Sequence, residues 1–441
     1  MLKTFRNALK IKDIRSKLLY TFVAIIIIRL GSQLPVPHID REYFAQWISL
    51  QTSLSFFDTF TGGSFTQMSI FALNISPYIT SSIIMQLLTI AIPKLEELQK
   101  DGEDGRKKIA EYTRYVTVGL ALIEALAMTI GFGNSGILEG GATFTNIIVI
   151  VASLTAGTAF LMWLGENITE KGVGNGISII LMVNIISGMP ADFHRLYALF
   201  IYNKSVIMGI IATLIIVAVV LFMVAFIVLL QDGERKIPVQ YAKKMQGRKM
   251  VGGQSSHIPL KVNTAGVIPV IFAGSLMQFP IVLFSFFGIE PDRGTFIQKV
   301  LLVLNQRAWL NFKSWGDFKY TLGLLVYIAL VIAFAYFYTS ITFNPIEVAN
   351  NMKKQGGFIP GIRPGKPTTE YLTRILNYVI IIGAIGLIIV VLVPMFFSGA
   401  FNADVSFGGT SLIIVVGVVL ETMKQIESQM LVRHYKGFLN D

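Results

Sequence analysis

Residues with the chemistry for catalysis or metal binding are few in this 441-residue chain. It has no cysteine, which excludes disulfides, cysteine metal sites and thiol catalysis. Its histidines (His38, His194, His257 and His434) are scattered, and no two have the spacing of metal ligands. The stretch GEDGRKK (102–108) lacks phosphate-loop spacing, so any nucleotide energy must come from a partner. The sequence predicts that the chain binds no metal and no cofactor and is not an enzyme. A membrane enzyme whose site residues are dispersed along the sequence stays open as a third hypothesis.

Charged residues are scarce as well. They make up 14% of the chain, against about 25% in soluble domains, and the mean hydropathy is +0.64. The chain is therefore predicted to be a membrane protein. Arg29 and Glu124 are the charged residues in the interior of the long apolar runs. Ion-coupled transport needs relays of such groups, so their scarcity weighs against a secondary solute transporter, which stays the alternative function.

Ten apolar runs are each close to the ~20 residues that a membrane helix needs. No small-residue cleavage site follows the first run, so it is predicted to be retained as a span. The predicted spans one to ten are 18–37, 75–92, 115–134, 145–165, 174–190, 206–230, 264–288, 320–341, 375–397 and 408–425.

Lysine and arginine are distributed unevenly between the two sides of these spans. Twenty-eight lie in the N-terminal arm, the loops after even-numbered spans and the C-terminal tail, whereas eight lie in the other loops. Because cytoplasmic loops are enriched in Lys and Arg, both termini are predicted to be cytoplasmic. The loop between spans seven and eight holds five of these eight lysines and arginines. It is an exception to the charge rule for which the sequence offers no explanation.

The two halves of the chain show weak internal similarity. Five spans per half force the second half to run inverted, as in many transporters. PYITSSIIMQ (77–86) in span two and PVIFAGSLMQ (269–278) in span seven share Pro, Ile, Met and Gln at the same offsets. Spans five and ten both have short apolar centres opened by glycine. These pairs predict that spans two, five, seven and ten line a central pathway.

Aliphatic residues of these four spans fall at a common depth. Ile83, Leu181, Ile271 and Ile414 each lie ten or eleven residues from a lysine on the cytoplasmic side. At ~1.5 Å per residue this is about 15 Å, half of a ~30 Å hydrocarbon core. Ile79 and Ile177 lie one helical turn from the first two, on the same faces. The pattern predicts a shared constriction, although any membrane helix carries aliphatic residues at that depth.

Three further segments have distinctive patterns. The aromatic stretch 53–74 is broken by Gly62 and Gly63, so it is predicted to re-enter the protein rather than span the membrane. The loop after span six clusters basic residues around an alternating pattern that is typical of a hairpin. Such a basic cluster suits binding to RNA phosphates or to an acidic protein face. The alternative is that these charges only set the membrane topology. In the loop after span eight, prolines and glycines form a stiff turn that exposes Arg363.

Several long motifs in a fixed order make the chain resemble SecY, the channel subunit of the bacterial Sec protein translocase, over essentially its full length. The motifs are PYITSSIIMQLL (77–88), DGEDGRKKIAEYTRY (101–115), WLGENITEKGVGNGISII (163–180), YAKKMQGRKMVGGQSSHIPLKVNTAGVIPVIFA (241–273), GFIPGIRPGKPT (357–368) and FGGTSLIIVV (407–416).

The resemblance implies an all-α membrane protein whose ten helices form two inverted five-helix halves, 1–195 and 196–441, around an hourglass pore. It implies a pore ring of Ile79, Ile83, Ile177, Leu181, Ile271 and Ile414. The family ring is mostly isoleucine, so Leu181 is a departure that keeps volume but loses β-branching. It also implies a lateral gate between spans two, three, seven and eight, where the polar residues are Thr80, Ser82, Gln86, Ser275 and Gln278.

The resemblance further implies a plug at about 57–71 and cytoplasmic docking loops at about 231–262 and 342–374. The expected docking residues for the SecA motor ATPase and the ribosome, including ribosomal RNA, are Arg235, Lys236, Arg248, Lys249 and Arg363. Other expected partners are small SecE-like and SecG-like membrane subunits, signal sequences, translocating polypeptides and the lipid bilayer. The expected location is the bacterial plasma membrane, with a thylakoid membrane left open.

Overall fold

Apolar runs of this length and composition form helices, and the chain is mostly helical. The computed structural model describes residues 8–50, 61–134, 136–202, 206–241, 244–246, 249–251, 255–286, 289, 291, 294–306, 309, 320–401 and 409–437. The helices are α1 (Lys12–Gly31), α2 (Arg41–Leu50), α3 (Ser76–Ala91), α4 (Pro93–Lys100), α5 (Glu103–Asn134), α6 (Phe144–Lys171), α7 (Gly176–Phe200), α8 (Val206–Asp232), α9 (Ile268–Phe286), α10 (Phe296–Leu304), α11 (Leu322–Thr342), α12 (Pro345–Lys354), α13 (Lys366–Phe401) and α14 (Gly409–Gly437).

A helix lies at each of the ten predicted spans: α1, α3, α5, α6, α7, α8, α9, α11, α13 and α14 in order. Within the described residues, six helices are long and apolar enough to cross a membrane, with α11 and α12 taken together. A seventh is added if α3 and α4, bent by 101° at Pro93, count as one span. The full count of ten therefore stays a prediction.

Several helices run past the predicted boundaries. Helix α5 begins at Glu103 and α13 at Lys366, in polar sequence well before the apolar runs. Polar residues continue a helix in water as readily as apolar residues continue it in lipid. The hydropathy pattern therefore shows which part of a helix lies in the membrane, and it does not show where the helix ends. Helix α7 also continues through Pro190 to Phe200.

Buried side chains form three main clusters within the helical bundle. One joins α2, α5 and α6 in the first half, and a second joins α8, α9, α11, α13 and α14 in the second half. A third cluster lies where α1, α6 and α7 of the first half meet α14 of the second. The packing order within each half is similar, because spans two to five contact in sequence, as do spans seven to ten.

Residues 61–75 are irregular but enclosed by protein. The main-chain nitrogen of Val36 donates to the carbonyl of Met68 at 3.0 Å, and that of Ile70 donates to the carbonyl of Leu34 at 2.9 Å. Phe65, Met68, Ser69 and Ala72 are among the buried residues of the segment. The prediction that this stretch re-enters the protein is confirmed for the described part, and residues 57–60 of the predicted plug lie outside it.

The loops after the sixth and eighth predicted spans form a small sheet. Strand β1 (Glu234–Tyr241) pairs antiparallel with β4 (Ser255–Lys261), as the alternating sequence predicted. Between them β2 (Lys244–Gln246) pairs with β3 (Lys249–Val251). Strand β5 (Gly357–Phe358), from the loop after span eight, adds to the other edge of β1, so the order is β4-β1-β5. The sequence did not predict this connection between the two loops.

Replacing Gly157 of α6 by alanine is expected to destabilise the fold. The added Cβ would lie 2.8 Å from Ile70 Cγ2 and even closer to the Ile70 carbonyl oxygen, so the helix and the enclosed segment must separate. We expect a loss of about 1–3 kcal/mol. The measurement is the thermal unfolding midpoint of the purified protein in detergent.

The matched control is Gly119→Ala in the interior of α5, where a Cβ would meet no atom within 4 Å. That change should leave the midpoint unchanged or raise it, because alanine is the better helix former. Equal midpoints for the two variants would contradict the close packing of α6 against residues 61–75.

Candidate waist and gate

A cavity of about 290 Å³ lies at the centre of the bundle. We call it the waist cavity. Its walls come from α3, α5, α7, α9 and α14, which contribute Ile79, Leu120, Leu181, Ile271 and Ile414 among others. Four of these five helices are the ones that the internal similarity predicted to line a central pathway, and α5 is the addition.

The predicted ring residues are mostly brought together. Ile79, Leu181, Ile271 and Ile414 line the waist cavity, and the same four with Ile177 belong to one hydrophobic cluster. Leu181 and Ile414 are buried, at 6% and 2% exposure. Ile83 is half-buried and belongs to neither group. The structure thus assembles an aliphatic junction from four helices that are far apart in sequence.

The predicted gate residues divide into two groups. Thr80 of α3 and Ser275 and Gln278 of α9 line the waist cavity, and we call these three the gate seam. Ser82 and Gln86 do not line it, and the Gln86 side-chain nitrogen lies 3.5 Å from Ser82 Oγ on the same helix. Helix α3 packs on α5, and α9 packs on α5 and α11. Residues of α3 and α9 therefore share the cavity wall at the seam.

Ser81 has a role that the sequence analysis missed. Its side chain is fully buried, and its Oγ donates to the carbonyl of Thr113 at 2.8 Å. Thr117 Oγ1 donates to Ser81 Oγ at 2.9 Å. These bonds join α3 to α5 on the face away from the seam. A serine between two other polar residues was the available signal, but the helix face that it occupies depends on the neighbouring helix.

Glu124 of α5 also lines the waist cavity, close to the seam. Among the described residues it has neither a hydrogen-bond nor an ion-pair partner. The side-chain nitrogen of Gln306, which lines the same cavity, also has no partner there. Polar groups without protein partners favour water or a passing polar group, so the junction is aliphatic with a polar edge.

The predicted docking residues lie at an exposed surface where their side chains are described. Arg235 and Lys236 are exposed on β1, and Arg363 is exposed in the turn before α13. That turn is held by Thr368 Oγ1, which donates to the Arg363 carbonyl at 2.8 Å. Lys249 lies in β3, and Arg248 lies outside the described residues. Arg235, Lys236 and Arg363 are therefore exposed on β1 and on the turn that follows β5, the strand paired with β1.

Comparison with known proteins agrees with this arrangement. The SecY family model matches residues 69–423. The protein translocase subunit SecY of Halalkalibacterium halodurans is 43% identical over 446 residues, which is 100% of both chains. A solved protein-conducting channel covers 95% of this chain and 93% of its own, at 17% identity and a TM-score of 0.62. The channel of a canine ribosome–channel complex from the endoplasmic reticulum covers 95% of this chain and 93% of its own, at 16% identity and a TM-score of 0.59.

The apolar helices and these matches define a multi-pass membrane protein with the fold of protein-conducting channels. The chain belongs to the SecY family of protein translocase subunits. The sequence prediction of a channel subunit rather than an enzyme agrees with this family. None of the matched proteins supports the alternative of a solute transporter.

The gate seam can be tested with cysteines, because the chain has none of its own. Cysteines in place of Thr80 and Ser275 should be bridged by a short bifunctional maleimide, since both positions line one cavity. The yield of crosslinked protein, measured by protease cleavage between the two sites, checks this. A pair with one partner moved to Ser153 on α6, which does not line the cavity, should remain uncrosslinked. Equal yields would contradict the seam.

Proposed function

We propose that this chain is the protein-conducting channel of a bacterial Sec translocon. It passes unfolded secretory polypeptides across the plasma membrane and releases membrane segments sideways into lipid. The observation that carries the proposal is the waist cavity, where four predicted ring residues from four helices meet beside the gate seam. The relatives at 43% identity, which are named as translocase subunits, support the same function.

An aliphatic ring suits the passage of a polypeptide. Such side chains offer no hydrogen bonds, so they cannot select one passing sequence over another. When no chain is present they exclude water, which limits the leak of ions. Ile79, Leu181, Ile271 and Ile414 supply this surface in the waist cavity, and Ile83 and Ile177 complete the proposed ring.

The proposed lateral exit lies at the gate seam. Ser81 fixes α3 to α5, so the first-half side of the seam moves as a unit. Opposite it, α9 is packed on α11. Thr80, Ser275, Gln278 and Glu124 give the cavity between these units a polar edge, which weakens the closed interface and lets water enter when the units part. Polar contacts between membrane helices are worth about 0.6 kcal/mol each, so such a seam opens at low cost.

The proposed topology has ten membrane spans in two inverted halves, 1–195 and 196–441, with both termini cytoplasmic. The excess of Lys and Arg on one side supports this orientation. The similar packing order of spans two to five and seven to ten supports the two halves. Residues 57–71 are proposed as the plug, and the enclosed position of residues 61–71 is consistent with that role.

The proposed docking surface is the cytoplasmic sheet with the adjoining turn. SecA and the ribosome would bind there through Arg235, Lys236, Arg248, Lys249 and Arg363. Exposed cations on a paired sheet are held in fixed positions, which suits recognition of RNA phosphates or acidic side chains. SecE-like and SecG-like subunits are proposed to bind the membrane-facing surface, where many large apolar side chains are exposed.

Ile414→Asn is expected to increase channel activity. On a packed or lipid-facing surface, a buried amide costs a few kcal/mol and lowers protein abundance. At the waist cavity the amide can contact water and the polar seam, so the cost falls mainly on the dry closed state. We expect normal abundance, more ion leak and export of proteins with defective signal sequences, measured in cells and in proteoliposomes.

The control is Ile382→Asn on α13, where the side chain is 58% exposed on the apolar surface. This variant should show lower abundance without added leak. A poorly expressed Ile414→Asn protein without leak or relaxed signal requirement would argue against a ring at α14.

Arg363→Glu is expected to abolish SecA-driven translocation while insertion and folding persist, because the side chain is exposed. The assay is ATP-dependent import of a preprotein into proteoliposomes, with SecA binding measured in parallel. Lys354→Glu on α12, an exposed charge reversal of the same sign, should retain most of the activity. Normal SecA-driven import by Arg363→Glu would refute the docking role of the turn.

A further inference from the structure

Arg29, the cation in the last turn of α1, makes specific contacts within the bundle. Its Nη1 donates to Ser187 Oγ of α7 at 3.0 Å and to the main-chain carbonyl of Gly62 at 3.3 Å. Ser187 Oγ also lies 3.2 Å from the Gly62 carbonyl and donates to the carbonyl of Asn184 at 2.7 Å. The Gly62 carbonyl of the proposed plug thus accepts from Arg29 of α1 and lies against Ser187 Oγ of α7, which also accepts from Arg29.

Gly62 is required at this point by geometry. Its φ is +62°, a conformation that side chains other than glycine rarely adopt. A Cβ there would lie 2.5 Å from Ser187 Oγ and 2.8 Å from the Cα of Asn184. The backbone of the segment therefore rests directly on α7, which brings the Gly62 carbonyl to the Arg29 guanidinium and to Ser187 Oγ.

We propose that Arg29 and Ser187 are positioning residues that hold the start of the plug in its closed position. The proposal rests on the proposed function, because it takes residues 61–71 as part of a plug. A main-chain carbonyl bound by a guanidinium is a charge-assisted interaction, stronger than a bond between neutral groups. The interaction lies at the outer end of α1, where the helix C-terminus also stabilises a cation.

The contacts also allow release. When the segment leaves, Ser187 Oγ keeps its bond to Asn184 on its own helix. The Gly62 carbonyl and the Arg29 guanidinium, near the end of α1, can both be hydrated once the segment has moved away. Opening therefore breaks the Arg29–Gly62 and Ser187–Gly62 contacts without leaving Ser187 unsatisfied. Such a contact holds the closed state and remains reversible.

The test measures local opening in the intact translocon. Ser64 is 2% exposed and lies two residues from Gly62, and the chain has no other cysteine after Ser64→Cys. The rate at which a membrane-impermeant maleimide labels this cysteine from the outer side reports the open fraction. Ser187→Ala and Arg29→Met are compared in that background, together with Arg29→Lys, which keeps the charge and a donor.

We expect labelling about three- to tenfold faster in Ser187→Ala and about tenfold or more in Arg29→Met, since a hydrogen bond to a charged group is lost. Arg29→Lys should restore most of the protection. The matched control is Ser153→Ala on α6, where Oγ likewise donates to a carbonyl of its own helix, that of Val149, at 2.7 Å. This control should label at the parental rate.

Unchanged labelling in Ser187→Ala, or an equal rise in Ser153→Ala, would overturn the proposal. If Arg29→Met is not produced in folded form, Ser187→Ala decides the result. Ion leak and export of proteins with defective signal sequences are measured on the same variants. Faster labelling without either change would support the positioning role and refute the plug as a seal, so the two failures are distinguishable.

Discussion

The structure depends on one constraint: main-chain polar groups inside a membrane must find their hydrogen bonds within the protein. Helices meet it locally, whereas residues 61–75 cannot. Their main-chain groups bond instead to residues 34–36 and to one another. The segment is enclosed between α1, α6 and α7. The close approaches of Gly31 to Phe71 and of Gly157 to Ile70 follow from this, because the helices must admit an irregular chain between them.

Enclosing that segment determines how the centre of the bundle is built. The helices around it converge below the segment on aliphatic residues, among them Leu181 and Ile414. Polar side chains nearby are used in two different ways. Ser81 is satisfied by α5 and holds two helices together, whereas Thr80, one residue earlier on α3, faces the waist cavity. Consecutive residues on one helix thus separate a hydrogen-bonded helix contact from the wall of the cavity.

Patterns within single stretches of the sequence predicted many of the helices and strands. Hydropathy located a helix at each of the ten predicted spans, and alternation predicted the pairing of β1 with β4. The depth of aliphatic residues, read from distances to lysines, selected Leu181, Ile271 and Ile414, which line one cavity, and Ile83, which lies outside it. These signals work because they depend on the period and length of single elements.

What the sequence could not supply depends on contacts between distant elements. The sequence pattern could not distinguish the faces of α3. Ser82 and Gln86 were therefore predicted to lie at the gate with Thr80, although only Thr80 lines the cavity. Glu124 was noticed as a charge within a span, but its place beside the seam follows from the packing of α5 against α3 and α9. The addition of β5 to β1 joins segments more than a hundred residues apart, and no local pattern encodes it.

The sheet is connected through a short segment to α9, the helix of the proposed gate. Strand β4 ends at Lys261 and α9 begins at Ile268, so six residues separate the sheet from the helix that carries Ile271 and Ser275. The connector is held at its start, where the nitrogen of Val262 donates to the Gly233 carbonyl at 2.8 Å. Val262 also lies directly against Gly383 of α13. The connector between the sheet and the first turn of α9 is therefore held by a main-chain hydrogen bond and by packing on α13, and is not a slack loop.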